Sequence, residues 1–284
     1  MLKEDGSPAS CILPLKCRGV NAFHPSGRYF ASGRDVWSLN DDYTAAALIL
    51  TLPSPPSDDD DDDDDCVILA FHPSGRYLAT GEVQKNGVTK ENDRGESQSF
   101  ITKLWALNED YSAASCVSTL PPQTEYPATQ YRIFNCSLST LHAAFHPSGR
   151  YLATGHHKLR MWALKDDCSA ATYVPSFGRM DDGKCGPFRD HEHSIDHMAF
   201  HPSWLYLVTS TATRKYKYGC PHPSRQLWAV KADCSSAETI YSQNLIQQTE
   251  YQNRNVAFHP SGNQVAILVR SQTYKDALLI RQLK

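Results

Sequence analysis

No apolar run in this 284-residue sequence is long enough to cross a bilayer. Runs such as Ala45 to Leu50 and Cys66 to Phe71 fall far short of the roughly 20 residues a spanning helix needs. The start, Met1-Leu2-Lys3-Glu4-Asp5-Gly6, mixes charges and lacks the apolar stretch of a secretory signal. No membrane partner is expected, and the expected location is the cytosol or nucleus. The nine cysteines contain no C-x-x-C pair, and in a reducing compartment they read as free, mostly packed thiols. G-x-S-x-G, G-x-x-x-x-G-K and H-E-x-x-H are also absent. The protein is therefore expected not to be an enzyme, with no catalytic residue and no cofactor assigned.

A large net charge is missing too. With 28 Lys and Arg against 31 Asp and Glu, a net of −3, and 40% hydrophobic residues, the chain is not a disordered one. Its length and modest cysteine content rule out a disulfide-stapled mini-protein. What remains is enough chain for one large domain or two small ones, with room for a sizeable core, and an internal repeat makes it a single domain, 1–284. One charge feature stands out, the uninterrupted acidic run from Asp58 to Asp65 within a low-complexity loop over 54–65. Setting those eight acids aside leaves 23 against 28 bases, too small an excess to predict nucleic-acid binding. The run lacks the glycine of a calcium loop and repels itself, so it reads as a solvated spacer.

What the chain does have is an internal repeat. Ala22-Phe23-His24-Pro25-Ser26-Gly27-Arg28-Tyr29-Phe30-Ala31-Ser32-Gly33 returns at 70–81 and 144–155, and more loosely at 199–210 and 257–268. A tryptophan element follows four copies, centred on Trp37, Trp105, Trp162 and Trp228; the fifth has Arg281 instead. Next comes Asp-Asp-Tyr-Thr-Ala-Ala at 41–46, with relatives at 109–114, 166–171 and 232–237. The apolar stretch ending in Ala-Phe predicts a strand, and Pro-Ser-Gly predicts a tight turn in which Pro fixes φ and Gly takes positive φ. Tyr-Leu-Ala-Thr predicts a return strand, the Trp element a third, and the Ala-Ala segment a fourth.

Four short strands, apolar on both faces, are not stable alone, but copies packed around an axis cover one another. In these motifs the chain resembles the WD-repeat β-propellers, whose blades carry an Ala-Phe-x-Pro-x-Gly turn and a Trp-centred third strand. The resemblance implies an all-β propeller of four-stranded antiparallel blades. The turn histidines His24, His72, His146, His201 and His259 lie 48, 74, 55 and 58 residues apart, which gives five blades with insertions. The last copy stops after its third strand, and residues 7–15 match 112–120, so the N-terminal strand is expected to close the last blade. The insertions include a long loop over 82–101 and fall on the face opposite the short Pro-Ser-Gly turns. Family blades often carry a hydrogen-bonded relay to the Trp. Its Gly-His and Asp members are mostly missing here, so the tryptophans are expected to be held by packing alone, with the fifth blade weakest.

Candidate sites divide by symmetry. The five turn histidines and the four tryptophans recur once per copy, which assigns them to the scaffold. His156, His157, Cys185, His191, His193, Cys220 and His222 offer the ligand types zinc prefers, but at spacings that match no compact motif. Trp204 replaces the turn glycine; it is expected to force a different turn, with its ring either at the surface as a partner contact or folded over Leu205 or Tyr206. Arg214, Lys215 and Lys217 alternate with tyrosines in a long loop and, with Asp58 to Asp65, are candidate partner contacts. The expected function is a non-enzymatic scaffold that binds a protein or peptide on the long-loop face; nucleic acid and small molecules are not expected partners. The alternatives are a structural or hydrolytic zinc site in the His and Cys loops, and a divergent or truncated propeller with little function of its own.

Overall fold

The computed structural model describes residues 21–53, 66–86, 97–124, 142–155, 159–174, 195–211, 224–235, 237–244, 251–259, 261–271 and 276–282. Each copy of the repeat makes one antiparallel sheet with its strands side by side in chain order. Blade one holds β1 (Asn21–Phe23), β2 (Tyr29–Ser32), β3 (Asp35–Leu39) and β4 (Ala46–Thr51). Blade two holds β5 (Cys66–Phe71), β6 (Tyr77–Asn86), β7 (Ser97–Leu107) and β8 (Ala114–Thr119), with β9 (Gln123–Thr124) added to β7. Blade three holds β10 (His142–Phe145), β11 (Tyr151–Gly155), β12 (Leu159–Leu164) and β13 (Ala171–Tyr173). Blade four holds β14 (Ile195–Phe200), β15 (Tyr206–Thr211), β16 (Ser224–Val230) and β17 (Ala237–Asn244). Blade five holds β18 (Tyr251–Phe258), β19 (Gln264–Ser271) and β20 (Asp276–Gln282).

Local chemistry accounts for this division. Proline keeps the preceding histidine extended, and the turn closes when the Gly27 N–H donates to the His24 carbonyl at 2.8 Å. The turn brings Phe23 opposite Phe30 in the first ladder. Between the third and fourth strands, Asp42 Oδ1 accepts from the Thr44 N–H at 3.1 Å and its hydroxyl at 2.6 Å. This Asx turn recurs at Asp110, Asp167 and Asp233.

The inner strands pack in sequence, β1 on β5, β5 on β10, β10 on β14 and β14 on β18. The core lies in the seams between blades rather than within any one of them. Between blades two and three, Ala79, Leu104 and Leu120 meet Phe145, Leu152, Trp162, Leu164 and Cys168. Between three and four, Ala153, Leu159 and Met161 meet Ile195, Met198, Leu207, Trp228, Val230 and Cys234. The first seam repeats the pattern, with Ala31, Val36 and Leu52 under Phe71, Leu78 and Trp105. At these three seams the preceding blade sets a buried alanine, Ala31, Ala79 or Ala153, against a tryptophan of the blade that follows. Each fully buried Leu or Phe contributes about 1.5–3 kcal/mol, so a blade gains its stability from its neighbours.

One expectation is corrected. The tryptophans of blades two, three and four are not held by packing alone: Trp105 Nε1 donates to Thr80 Oγ1 at 3.0 Å, Trp162 to Thr154 at 2.9 Å and Trp228 to Thr209 at 3.1 Å. The register explains this. Trp162 faces Leu152 across the ladder, and Thr154, two residues along the same face, meets the indole diagonally. A buried indole N–H left without a partner would cost about 1–3 kcal/mol. Within 82–101, expected as a loop, the ladder continues to the pair Asn86 and Ser97, so blade two extends as a paired hairpin before 87–96, which lie outside the described residues. The expected closing strand at 7–15 and the acidic loop at 54–65 also lie outside them.

Candidate functional site

The short-turn face is built around a joint that joins each blade to the next. In every copy the histidine Nδ1 accepts from the backbone N–H of the serine two residues on, as in His24 and Ser26 at 3.0 Å. That leaves Nε2 protonated and aimed across the seam. His24 Nε2 donates to the Gly75 carbonyl at 3.1 Å, His72 to Gly149 at 2.9 Å, His146 to Trp204 at 3.2 Å and His201 to Gly262 at 2.7 Å. Each ring also stands edge-on to the next blade's phenylalanine, with centroids 5.3 Å apart for His24 and Phe71, 5.1 Å for His72 and Phe145, 5.1 Å for His146 and Phe200, and 4.9 Å for His201 and Phe258. Burial lowers the pKa of His24, His72 and His146, against a smaller opposing pull from the carbonyl each one faces.

The turn glycines serve this joint. A Cβ on Gly149 would enter the His72 ring, and the residue's φ of 75° already disfavours any side chain. Trp204 nevertheless occupies the same place. The expectation of a different turn is corrected: its φ is 73° and its N–H donates to the His201 carbonyl at 2.9 Å, as the glycines do in their own turns. The indole stays 50% exposed beside Leu205, itself 45% exposed, with its centroid 6.1 Å from that of His146. Leu205 stands where blades one to three carry the exposed arginines Arg28, Arg76 and Arg150, so an apolar pair interrupts a charged row. That double departure, Trp-Leu for Gly-Arg, is legible in the repeat; that both side chains stay exposed is not.

A second left-handed position lies in the Asx turns: Tyr43, Tyr111, Cys168 and Cys234 have φ of 59°, 60°, 52° and 51°. It directs the side chain into the seam with the preceding blade. Tyr111 stacks on Tyr29 with centroids 4.2 Å apart and its hydroxyl lies 3.1 Å from His24 Nε2, while Cys168 and Cys234 are buried. Burial raises their thiols to about 11 and about 12. Nothing in the sequence distinguished these residues, because the left-handed turn is recognised only from the backbone.

All other proposed contacts, Asp58, Asp65, Arg214, Lys215 and Lys217, lie outside the described residues, as do His156, His157, Cys185, His191, His193, Cys220 and His222. Among the described residues no group of three or more His, Cys, Asp or Glu is placed to hold a metal ion.

Among solved structures, the chain is similar to the β-propeller domain of Cps50 (Swd1) from Myceliophteria thermophila, with a TM-score of 0.51 and 13% identity over 93% of this chain and 70% of that one. The chain folds as a β-propeller. The structure of a putative TolB from Agrobacterium tumefaciens also matches, with a TM-score of 0.45 and 13% identity over 93% and 76% of the two chains. No family model and no curated protein matches the sequence. On the propeller, the joint and the Trp204 patch share the short-turn face, and the extended β6–β7 hairpin projects from the opposite one.

Proposed function

We propose that this protein is a non-enzymatic scaffold that binds a protein or peptide partner. The observation that carries this reading is Trp204, held at φ 73° yet half exposed. A left-handed backbone costs a residue with a side chain about 1–2 kcal/mol, and such strain clusters at functional sites. Four blades solve the same turn without a bulky side chain; the fourth places an indole and Leu205 at the surface instead. Exposed tryptophans flanked by apolar neighbours are frequent anchors of protein interfaces.

The long-loop face is a second binding surface in this reading. Its support is the hairpin of β6 and β7, which runs beyond the usual blade and is braced by β9 and by the ion pair of Lys103 with Glu82 at 2.7 Å. Arg214, Lys215, Lys217 and the run from Asp58 to Asp65, outside the described residues, supply charge for steering a partner in this reading.

Quantitative affinity capture with the wild type, with Trp204→Gly, and with a variant lacking 58–65 and neutralised at Arg214, Lys215 and Lys217 tests both surfaces. Trp204→Gly restores the repeat's own turn and so keeps the fold. Loss of a captured protein with Trp204→Gly is the expected result, and loss of a protein with the loop variant locates binding on the other face. An unchanged set of captured proteins with both variants overturns the reading.

A further inference from the structure

Among the described residues, the joint that links successive blades is left open at both ends of the series, and the two open halves match. Blade one presents the bulky half. Phe23 is 61% exposed, whereas its counterparts Phe71 and Phe145, each covered by a histidine ring, are 8% exposed. Gly27 keeps the left-handed φ of 71°, but the nearest atom to a Cβ there is the Tyr43 hydroxyl at 3.4 Å, where Gly75, Gly149 and Gly262 each meet a histidine. Tyr43 is 40% exposed, whereas its counterpart Tyr111 is stacked on the blade before it.

Blade five presents the small half. His259 holds its ring with the same serine contacts as the other four, Nδ1 2.8 Å from Ser261 Oγ and 3.1 Å from its backbone nitrogen, and is exposed, whereas His24, His72 and His146 are buried. Ala257 beside it is exposed and Ala266 half-buried, at the place where Ala31, Ala79 and Ala153 are sealed by the following blade. Among the described residues, no packing like that of the four inner-strand neighbours joins β18 to β1.

We propose that these two surfaces are the halves of an interface between copies of this chain: His259 of one copy donates to the Gly27 carbonyl of another and stands edge-on to its Phe23. The occupant is identified by continuity with the internal joints. Each of the four seams is made by a blade's histidine meeting the carbonyl of the next blade's turn residue, Gly75, Gly149, Trp204 or Gly262, and the ring of its phenylalanine, and a second copy offers that same half in the same register. The contact is heterologous, since the surface given differs from the surface received, so each dimer retains one free half of each kind.

Two variants block one half each at exposed positions: Phe23→Asp at blade one and Ala257→Arg at blade five. By analytical ultracentrifugation the wild type is expected to gain mass with concentration, each variant alone to stay monomeric, and an equimolar mixture of the two to form dimers and nothing larger. A wild type that is monomeric at every concentration, or a mixture that does not dimerise, overturns the proposal. If the monomer shields the side chains of Phe23 and His259 from hydroxyl-radical labelling, its own fifth blade is the occupant and the proposal is again overturned. Dimers of Ala257→Arg alone would identify a contact between two first blades, which also overturns it.

Discussion

His72 Nε2 lies 2.9 Å from the carbonyl oxygen of Gly149, 77 residues away in the chain and one blade further round the propeller. The same histidine is locked in its own turn through Nδ1, so one side chain both closes a hairpin and fastens it to the next. Because the hydrogen-bond pattern requires a neutral ring with its proton on Nε2, the seams depend on the protonation state of their histidines.

Stability should fall as the solution is acidified below pH 6.5. His24, His72 and His146 have lowered pKa values in the folded state, so the unfolded chain takes up protons first, and their contribution is complete above 6.5 and lost as pH drops through the folded values. The turn aspartates Asp42, Asp110, Asp167 and Asp233, lowered by hydrogen bonds from the following Ser or Thr, act in a separate window below 3.8. Urea midpoints measured at about pH 7.5 and about pH 5.5 should differ, and His72→Gln, which can donate without titrating, should narrow the gap. An equal gap in wild type and variant would count against the joint as its origin.

Substitution at the turn glycine should change sign with the blade. Gly149→Ala adds a Cβ at positive φ and against the His72 ring, and should destabilise by about 2–3 kcal/mol. Trp204→Gly removes the same strain and should stabilise by about 1 kcal/mol, since its half-exposed ring gives up little buried surface. Chemical denaturation of the two variants measures both.

Thr80→Val tests the indole contact. The valine keeps the shape of the buried threonine but leaves the Trp105 N–H unpaired in the seam, for an expected loss of about 1–2 kcal/mol. A change within measurement error would return Trp105 to a role in packing alone.

Alkylation should separate the described thiols by position. Cys116 is exposed on β8 and should react in the native protein. Cys168 and Cys234 are buried, with thiols at about 11 and about 12, and should label only on unfolding. Mass spectrometry of native and denatured samples resolves the three.

The sequence by itself determined the number of copies, the chain-order pairing of the repeated strands and the place of the Pro-Ser-Gly turns. Those features rest on contacts between residues a few positions apart, such as the Pro-Ser-Gly turn that brings Phe23 opposite Phe30. That the histidines belong to the scaffold was legible from their recurrence, but what each one holds was not. The tertiary structure decided that Nε2 of His24 meets Gly75, that Trp105 finds Thr80, that Trp204 keeps a glycine's backbone, and that Phe23 and His259 are left exposed. The reason is distance along the chain. Local patterns specify a blade, but the stagger between blades follows from bulky faces settling on small ones, and that fit exists only once two sheets have met.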